Sequence, residues 1–138
     1  TEYGADVYVD MLSHKCTSIF VKEKIKMRAG ETDKSVSVKD AALFEMLEKF
    51  AEDCGFAGMI DIDIFKIDGT YYISEVNPRF GGGYPHAYEC GVDFPARVLA
   101  NLRGETGEKA IGTYKEGICM MKYNEIAIRD MENVEIIR

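Results

Sequence analysis

The chain has no tryptophan, only two histidines and three prolines, and four cysteines that stand far apart at positions 16, 54, 90 and 119. No Cys-x-x-Cys pair occurs, and with so few histidines a structural zinc site lacks its ligands. Scattered thiols of this kind suit a reducing compartment, the cytoplasm, better than a disulfide scaffold. Long apolar runs are missing too. None approaches the ~20 residues that cross a bilayer, and no signal-peptide pattern opens the chain, so no membrane partner is expected. Excess positive charge is also absent: 17 basic residues face 24 acidic ones, for a net charge of −7. That excludes the positive field a sequence-independent nucleic-acid binder needs. Lys22, Lys24, Lys26 and Arg28 still form a local basic run able to meet a phosphate.

What is present is an ordinary globular balance, 46% hydrophobic and 30% charged over 138 residues. This is one domain's worth of chain, enough to bury a core. The sequence opens without methionine, directly in strand-like residues, which points to a piece of a longer protein. Alternation predicts a strand from Tyr3 to Met11, a turn at Ser13-His14-Lys15 and a second strand from Thr17 to Met27, whose lysines read as a solvated face. Arg28 to Lys34 reads as a polar loop. A helix follows, with Ser37 as its N-cap and Asp40 three residues on. Leu43, Met46, Leu47, Phe50, Ala51 and Cys54 form its apolar face, and Gly55 closes it. Later come a short helical turn over Pro85 to Glu89 and a helix capped by Asp93 that ends at Gly104. Short strands are expected at Gly117–Tyr123, Ile126–Met131 and Val134–Ile137. The order implies an α+β fold, a largely antiparallel sheet with helices packed on one face.

The chemistry concentrates between Asp61 and Gly83. Two strand-like segments flank Asp68-Gly69, and the second ends in Glu75-Val76-Asn77-Pro78-Arg79, followed by Phe80 and three glycines. Side chains alternate, so Asp61 and Asp63 share one face while Ile60, Ile62 and Ile64 share the other. Glu75 and Asn77 likewise share a face opposite Val76. Burying the isoleucines would leave an Asp, Asp, Glu, Asn cluster, a set of oxygens that suits Mg²⁺ or Mn²⁺. Asp61 by itself reads as merely solvated. A strict two-residue turn would put Glu75 on the wrong face, so the expectation is a three-residue loop with Gly69 in a left-handed bulge position. Gly81 to Gly83 read either as a place of close backbone approach or as a flexible exit. His86 reads as a packing or surface residue.

At these residues the chain resembles the C-terminal half of an ATP-grasp domain, close to carbamoyl-phosphate synthase large subunits and their relatives. In those proteins a strand ends in Glu-x-Asn-Pro-Arg, and a metal-binding side chain stands about a dozen positions earlier. Here Asp63 precedes Glu75 by 12 positions. The likeness runs from Glu2-Tyr3 to Arg103 and is weak from residue 105 to 138, all within a single domain. It implies that Asp63, Glu75 and Asn77 hold Mg²⁺ on the phosphates of ATP. It also implies that Arg79 meets the transferred phosphoryl group, that Glu2 accepts the ribose hydroxyls and that Arg28 reaches toward the phosphates. The family commonly has Gln or Glu where Asp63 stands. A second arginine that the synthase carries is Gly82 here, which argues against bicarbonate as the substrate.

The implied reaction is ATP-dependent ligation: a small carboxylate or bicarbonate becomes an acyl-phosphate, and an amine or ammonia displaces the phosphate. A non-catalytic ATP-grasp-like scaffold or nucleotide sensor is the alternative; a peptide-bond-forming or biotin-carboxylase-like ligase is a third reading. No glycine-rich lid precedes the first strand. The N-terminal ATP-grasp subdomains are therefore expected as partners, the chain alone is expected to be inactive, and a homo-oligomer is left open.

Overall fold

Period-two alternation in the first third of the chain produces three consecutive strands in a computed structural model that describes residues 1–130 and residue 132. These are β1 (Glu2–Val9), β2 (Cys16–Arg28) and β3 (Glu31–Val38), followed by α1 (Ala41–Asp53). Next come β4 (Gly58–Ile67) and β5 (Thr70–Asn77), then α2 (Tyr84–Glu89), α3 (Phe94–Leu102) and the short β6 (Cys119–Met121). The six strands form one sheet in the order β5-β4-β1-β2-β3-β6, and every neighbouring pair is antiparallel.

The α+β antiparallel architecture expected from the sequence is the one the chain forms, with one difference in layering. On one face Ala5, Val7, Val9, Ile19, Val21, Ile60, Ile62 and Ile64 pack against Leu43, Leu47 and Ala51 of α1. Their alternating neighbours Tyr8 and Phe20 point to the opposite face, where they meet Tyr84 and Ala87 of α2, Phe94 of α3, and Tyr114. The helices are therefore divided between the two faces. Apolar residues on both sides of β1 and β2 require cover on both. The half of the second face that α2 and α3 leave open carries charge.

Three local expectations are corrected. The polar stretch from Arg28 to Lys34 is a tight hairpin, with Ala29 and Gly30 in the left-handed conformation (φ 50° and 78°) joining β2 to β3. Ser37 is a buried β3 residue whose hydroxyl bonds Lys115 O and Ile118 N; the helix cap is Asp40, which accepts from the amides of Ala42 and Leu43 at 3.0 and 3.3 Å. Ser and Asp cap equally well, so the cap falls at whichever of them the sheet leaves free. Among the described residues Cys119–Met121 is the part of the expected C-terminal strands that forms; residues 126–130 carry none, and Met131 and Val134–Ile137 lie outside the described residues. Alternation supplies a strand's period but not its partner: Ile126 and Ile128 are 91% and 85% exposed.

Residues 105–118 are stitched to the sheet by polar contacts. Tyr114 donates its hydroxyl to Val38 O at 2.6 Å and accepts from Val21 N at 3.0 Å. Buried His86 takes Ser35 Oγ at Nδ1 (2.8 Å) and faces Ile118 O with Nε2 (2.9 Å). Only an Nε2–H can serve that carbonyl, and burial lowers the imidazole pKa, so the ring is neutral. His86 is thus a packing residue, as expected.

Leu47 lies fully buried in the middle of the α1 face. Leu47→Ala should cost about 2–5 kcal/mol of unfolding free energy, read as a lower urea midpoint at unchanged slope. A change under about 0.5 kcal/mol would contradict the core described here.

Candidate functional site: a charged cleft on the open half of the sheet

The hairpin β4–β5 closes with a strict two-residue turn. Asp68 and Gly69 take φ values of 49° and 80°, and Ile67 pairs with Thr70. The expected three-residue loop is therefore wrong, yet its purpose is met elsewhere. Between Ile64↔Ile73 and Asp63↔Glu75 the ladder shifts by one residue, leaving Ser74 as a bulge whose hydroxyl donates to Asp63 O at 3.1 Å. Beyond it Asp63 faces Glu75, Ile62 faces Val76, and Asp61 faces Asn77. Ile73 and Val76 both pack on the core although three positions apart, and a bulge is what lets an odd spacing keep one face.

A cleft of about 390 Å³ lies above this register. Asp61, Asp63, Glu75 and Asn77 line its floor with Lys22 and Lys24. Arg79 to Gly83 form one wall, and Gly30 to Thr32 of the β2–β3 hairpin form another. Asp63, Glu75, Asn77 and Arg79 are thus brought together as expected. Glu2 joins them indirectly: Lys24 donates to Glu2 at 2.7 Å and to Asp63 at 2.6 Å. Arg28 does not join; it borders a separate hollow with Lys122 and Asn124. The hairpin turn carries the end of β2 past the cleft.

The lysines are the main thing the sequence reading missed. The side chains of Lys22 and Lys24 are 1% and 4% exposed, not a wet strand face; of the three lysines only Lys26 is exposed. Lys22 pairs with buried Asp6, across the sheet. The reason is Gly4, which sits between Lys22 of β2 and Asp63 of β4. A Cβ there would lie 3.1 Å from Lys22 Cε and 3.2 Å from Lys24 Cε, so its absence gives both lysines room over β1. Burial opposes the charge on Lys24, but the bonds to Asp63 and Glu2 outweigh it and raise its pKa. The usable signal in the sequence was a glycine inside a strand beside lysines at period two.

Asp61 is more than solvated. Its side chain is 17% exposed, and burial, with the charge of Asp6 adding to it, raises its carboxyl to about 6. Arg79 approaches it at 3.7 Å. A Cβ at Gly81 would come within 2.5 Å of this carboxylate, one at Gly82 within 2.9 Å of Glu31 Cδ, and one at Gly83 within 2.8 Å of Lys22 Cε. The three glycines are there for close approach, since none of them has a positive φ.

Oxygen donors remain available on the floor. Asn77 donates its amide to Glu75 Oε1 at 2.9 Å, which turns the amide oxygen away and leaves the other Glu75 oxygen free. One Asp63 oxygen is bound by Lys24 and the second is not. Among the described residues no three His, Cys, Asp or Glu side chains come together as a group that could hold a metal ion by themselves. A hard, hydrated cation such as Mg²⁺ uses an open set of one or two carboxylates with substrate oxygens, and the donors at Asp63, Glu75 and Asn77 fit that requirement.

The chain belongs to the ATP-grasp family: residues 3–126 match the family described as ATP-grasp in the biosynthetic pathway with Ter operon. Among curated proteins it is similar to the carbamoyl phosphate synthase large chain of Clostridium botulinum (strain Loch Maree / Type A3), 31% identical over 86 residues, 59% of this chain and 8% of that one. It is also similar to the Clostridium perfringens (strain SM101 / Type A) large chain, 27% identical over 107 residues, 74% of this chain. The chain thus spans about a tenth or less of the length of these relatives. Among solved structures it resembles N5-carboxyaminoimidazole synthetase from Staphylococcus aureus complexed with ADP, with TM-score 0.62 at 15% identity, over 78% of this chain and 31% of that one. It also resembles the biotin carboxylase domain of Hydrogenobacter thermophilus 2-oxoglutarate carboxylase, a complex with MgADP, ADP and bicarbonate. There the TM-score is 0.63 at 14% identity, over 86% of this chain and 28% of that one.

The raised carboxyl of Asp61 yields a prediction. An acid shifted upward on folding costs nothing when protonated in both states. It destabilises the fold as pH rises from the ordinary carboxylate range through 6. In divalent-free buffer Asp61→Asn should therefore raise Tm above pH 6 and leave it unchanged near pH 3. A Tm lowered by this substitution at pH 7.5 would show that the fold needs the charge.

Proposed function

We propose that the chain supplies the metal- and phosphate-binding floor of an ATP-dependent ligase. Such an enzyme phosphorylates a carboxylate and passes the acyl group to a nitrogen nucleophile. The observation that carries this reading is the bulge register, which sets Asp63, Glu75 and Asn77 in one cleft with Arg79. In this reading Glu75 and Asn77 hold the cation through their free oxygens, and Asp63 adds its second oxygen while Lys24 keeps the side chain in place. Bound Mg²⁺ or Mn²⁺ would offset negative charge on the phosphates.

Arg79 is 60% exposed at the cleft wall and donates one bond to Phe80 O. Its remaining donors can meet the phosphoryl oxygens or the carboxylate, and no covalent enzyme nucleophile is required. The chemistry balances without one: the carboxylate oxygen takes the γ-phosphoryl group, ADP leaves, and the amine nitrogen then expels inorganic phosphate as a proton is lost. Glu2 at the sheet end remains our candidate for the ribose hydroxyls. Arg28, outside the cleft, would reach the phosphates only with movement of the hairpin tip.

ATP and a small carboxylate with an amine or ammonia are the proposed substrates, and the N-terminal ATP-grasp subdomains are the proposed partners that close over the nucleotide. A cytoplasmic setting fits four free cysteines and the lack, among the described residues, of a helix long and apolar enough to cross a membrane. The scaffold reading is disfavoured by the retention of Glu75, Asn77 and Arg79 together in one open cleft.

In the intact protein Glu75→Gln should lower Mg²⁺-dependent ADP release by about 10²-fold or more, the scale of losing a charged group that acts on the transferred phosphoryl. Its Tm should move by under about 2 °C, because Glu75 is exposed. Turnover within about threefold of the parent would refute the assignment.

A further inference from the structure

One charged group in the cleft has no role in the ligase reading so far. Asp61 is largely buried at the cleft floor, yet among the described residues it accepts no hydrogen bond, and its nearest cationic atom is Arg79 Nη1 at 3.7 Å. Lys22, which could have neutralised it, is committed to Asp6. Lys24 is committed to Glu2 and Asp63. The backbone at Gly81 is packed against the carboxylate so closely that any side chain there would collide with it. Among the described residues no buried polar side-chain atom lacks a partner, so the Asp61 oxygens stay open to the cleft, where a ligand can supply the donor that the protein does not.

We propose that Asp61 and Arg79 together select the carboxylate substrate, and that its class is an α-amino acid: Arg79 takes the carboxylate that will be phosphorylated, and Asp61 takes the ammonium group. This rests on the ligase reading above and adds the substrate class. An α-amino acid carries both charges on a single carbon, so a guanidinium and a carboxylate held 3.7 Å apart can bind both ends at once. A divalent cation is a worse match for Asp61. It needs a shell of several oxygens, and the donors proposed for it are Asp63, Glu75 and Asn77. An ammonium needs one good acceptor and brings directed N–H donors that make charge-assisted bonds. Gly81 contributes by leaving the space above Asp61 empty of side chain, and the exposed Phe80 beside it offers apolar surface to a substrate side chain. The reaction keeps its balance: one carboxylate oxygen of the amino acid attacks the γ-phosphorus, the β,γ-bridging bond breaks, and ADP departs. The substrate's ammonium stays protonated on Asp61, so the nucleophile is a second nitrogen compound.

The test uses the intact protein with ATP, Mg²⁺ and hydroxylamine, which traps an acyl-phosphate as a hydroxamate with release of phosphate. The carboxylate probes are an equimolar mixture of the twenty protein L-amino acids and, separately, the matching α-hydroxy acids, which keep the carboxylate and lose the ammonium. ADP release and hydroxamate are both read. The expected result is hydroxamate from the amino acids at least about tenfold faster than from the hydroxy acids, the size of one charge-assisted bond. Asp61→Asn should reduce that preference to within about twofold while ADP affinity by calorimetry changes less than about twofold.

Three results overturn the proposal and leave the ligase reading standing. They are hydroxy acids serving as well as amino acids, a preference that survives Asp61→Asn, and a loss that falls equally on both probe sets, which would make Asp61 only a holder of Arg79. Absence of ADP release from the unaltered protein with every carboxylate overturns the ligase reading and this proposal together.

Discussion

The site depends on one extra residue in one strand. With a two-residue turn at Asp68-Gly69, an unbroken ladder would pair Asp63 with Ser74 and turn Glu75 into the core. The bulge at Ser74 absorbs that residue, so Ile73 and Val76 both remain against the α1 face while Glu75 and Asn77 point into the cleft. Packing and chemistry are satisfied by the same irregularity. The apolar residues fix where the bulge must fall, because an unbroken ladder would turn Val76 out of the core and Glu75 into it. The stability of the core thereby enforces the geometry of the site.

A second constraint runs across the sheet. Lys22 and Lys24 reach from β2 over Gly4 toward the carboxylates of β1 and β4, and the cations are consumed pair by pair: Lys22 on Asp6, Lys24 on Glu2 and Asp63. Such pairing is expensive in desolvation, and its return is orientation of the floor more than stability. It holds Asp63 by one oxygen and leaves the other for a ligand. It also leaves Asp61 and Arg79 facing each other across the cleft at 3.7 Å, with no lysine between them. A cleft built this way is prepared for substrates that bring both signs of charge, metal-bound phosphates on one side and a small carboxylate on the other.

Much of this was legible in the residues. Alternation marked β1, β2, β4 and β5 but not β3, whose polar residues read as a loop and a helix cap; the apolar face and Gly55 marked α1, and Asp93 with Pro95 marked α3. The Glu-Val-Asn-Pro-Arg segment marked the site. What was not legible followed from neighbours in space. A solvated and a buried lysine have the same period-two pattern, and only the order β4-β1-β2 with a glycine in the middle tells them apart. Ser37 and Asp40 are both competent caps, and the claim of β3 on Ser37 decided between them. The bulge could have been inferred, because Ile73 and Val76 violate strict alternation, but loop length was the wrong place to put the correction. For residues 126–130 the apolar pattern was present and no partner strand met it.

The central claim is that Glu75 and Asn77 hold the phosphate-bound cation beside Arg79. It is tested most directly by anomalous diffraction from Mn²⁺ in crystals of the intact protein grown with ADP. A Mn²⁺ peak about 2.1 Å from a Glu75 carboxylate oxygen and the Asn77 amide oxygen, and within the cleft that Arg79 borders, is the result this account predicts. A peak bound to the ADP phosphates but touching neither residue would contradict it.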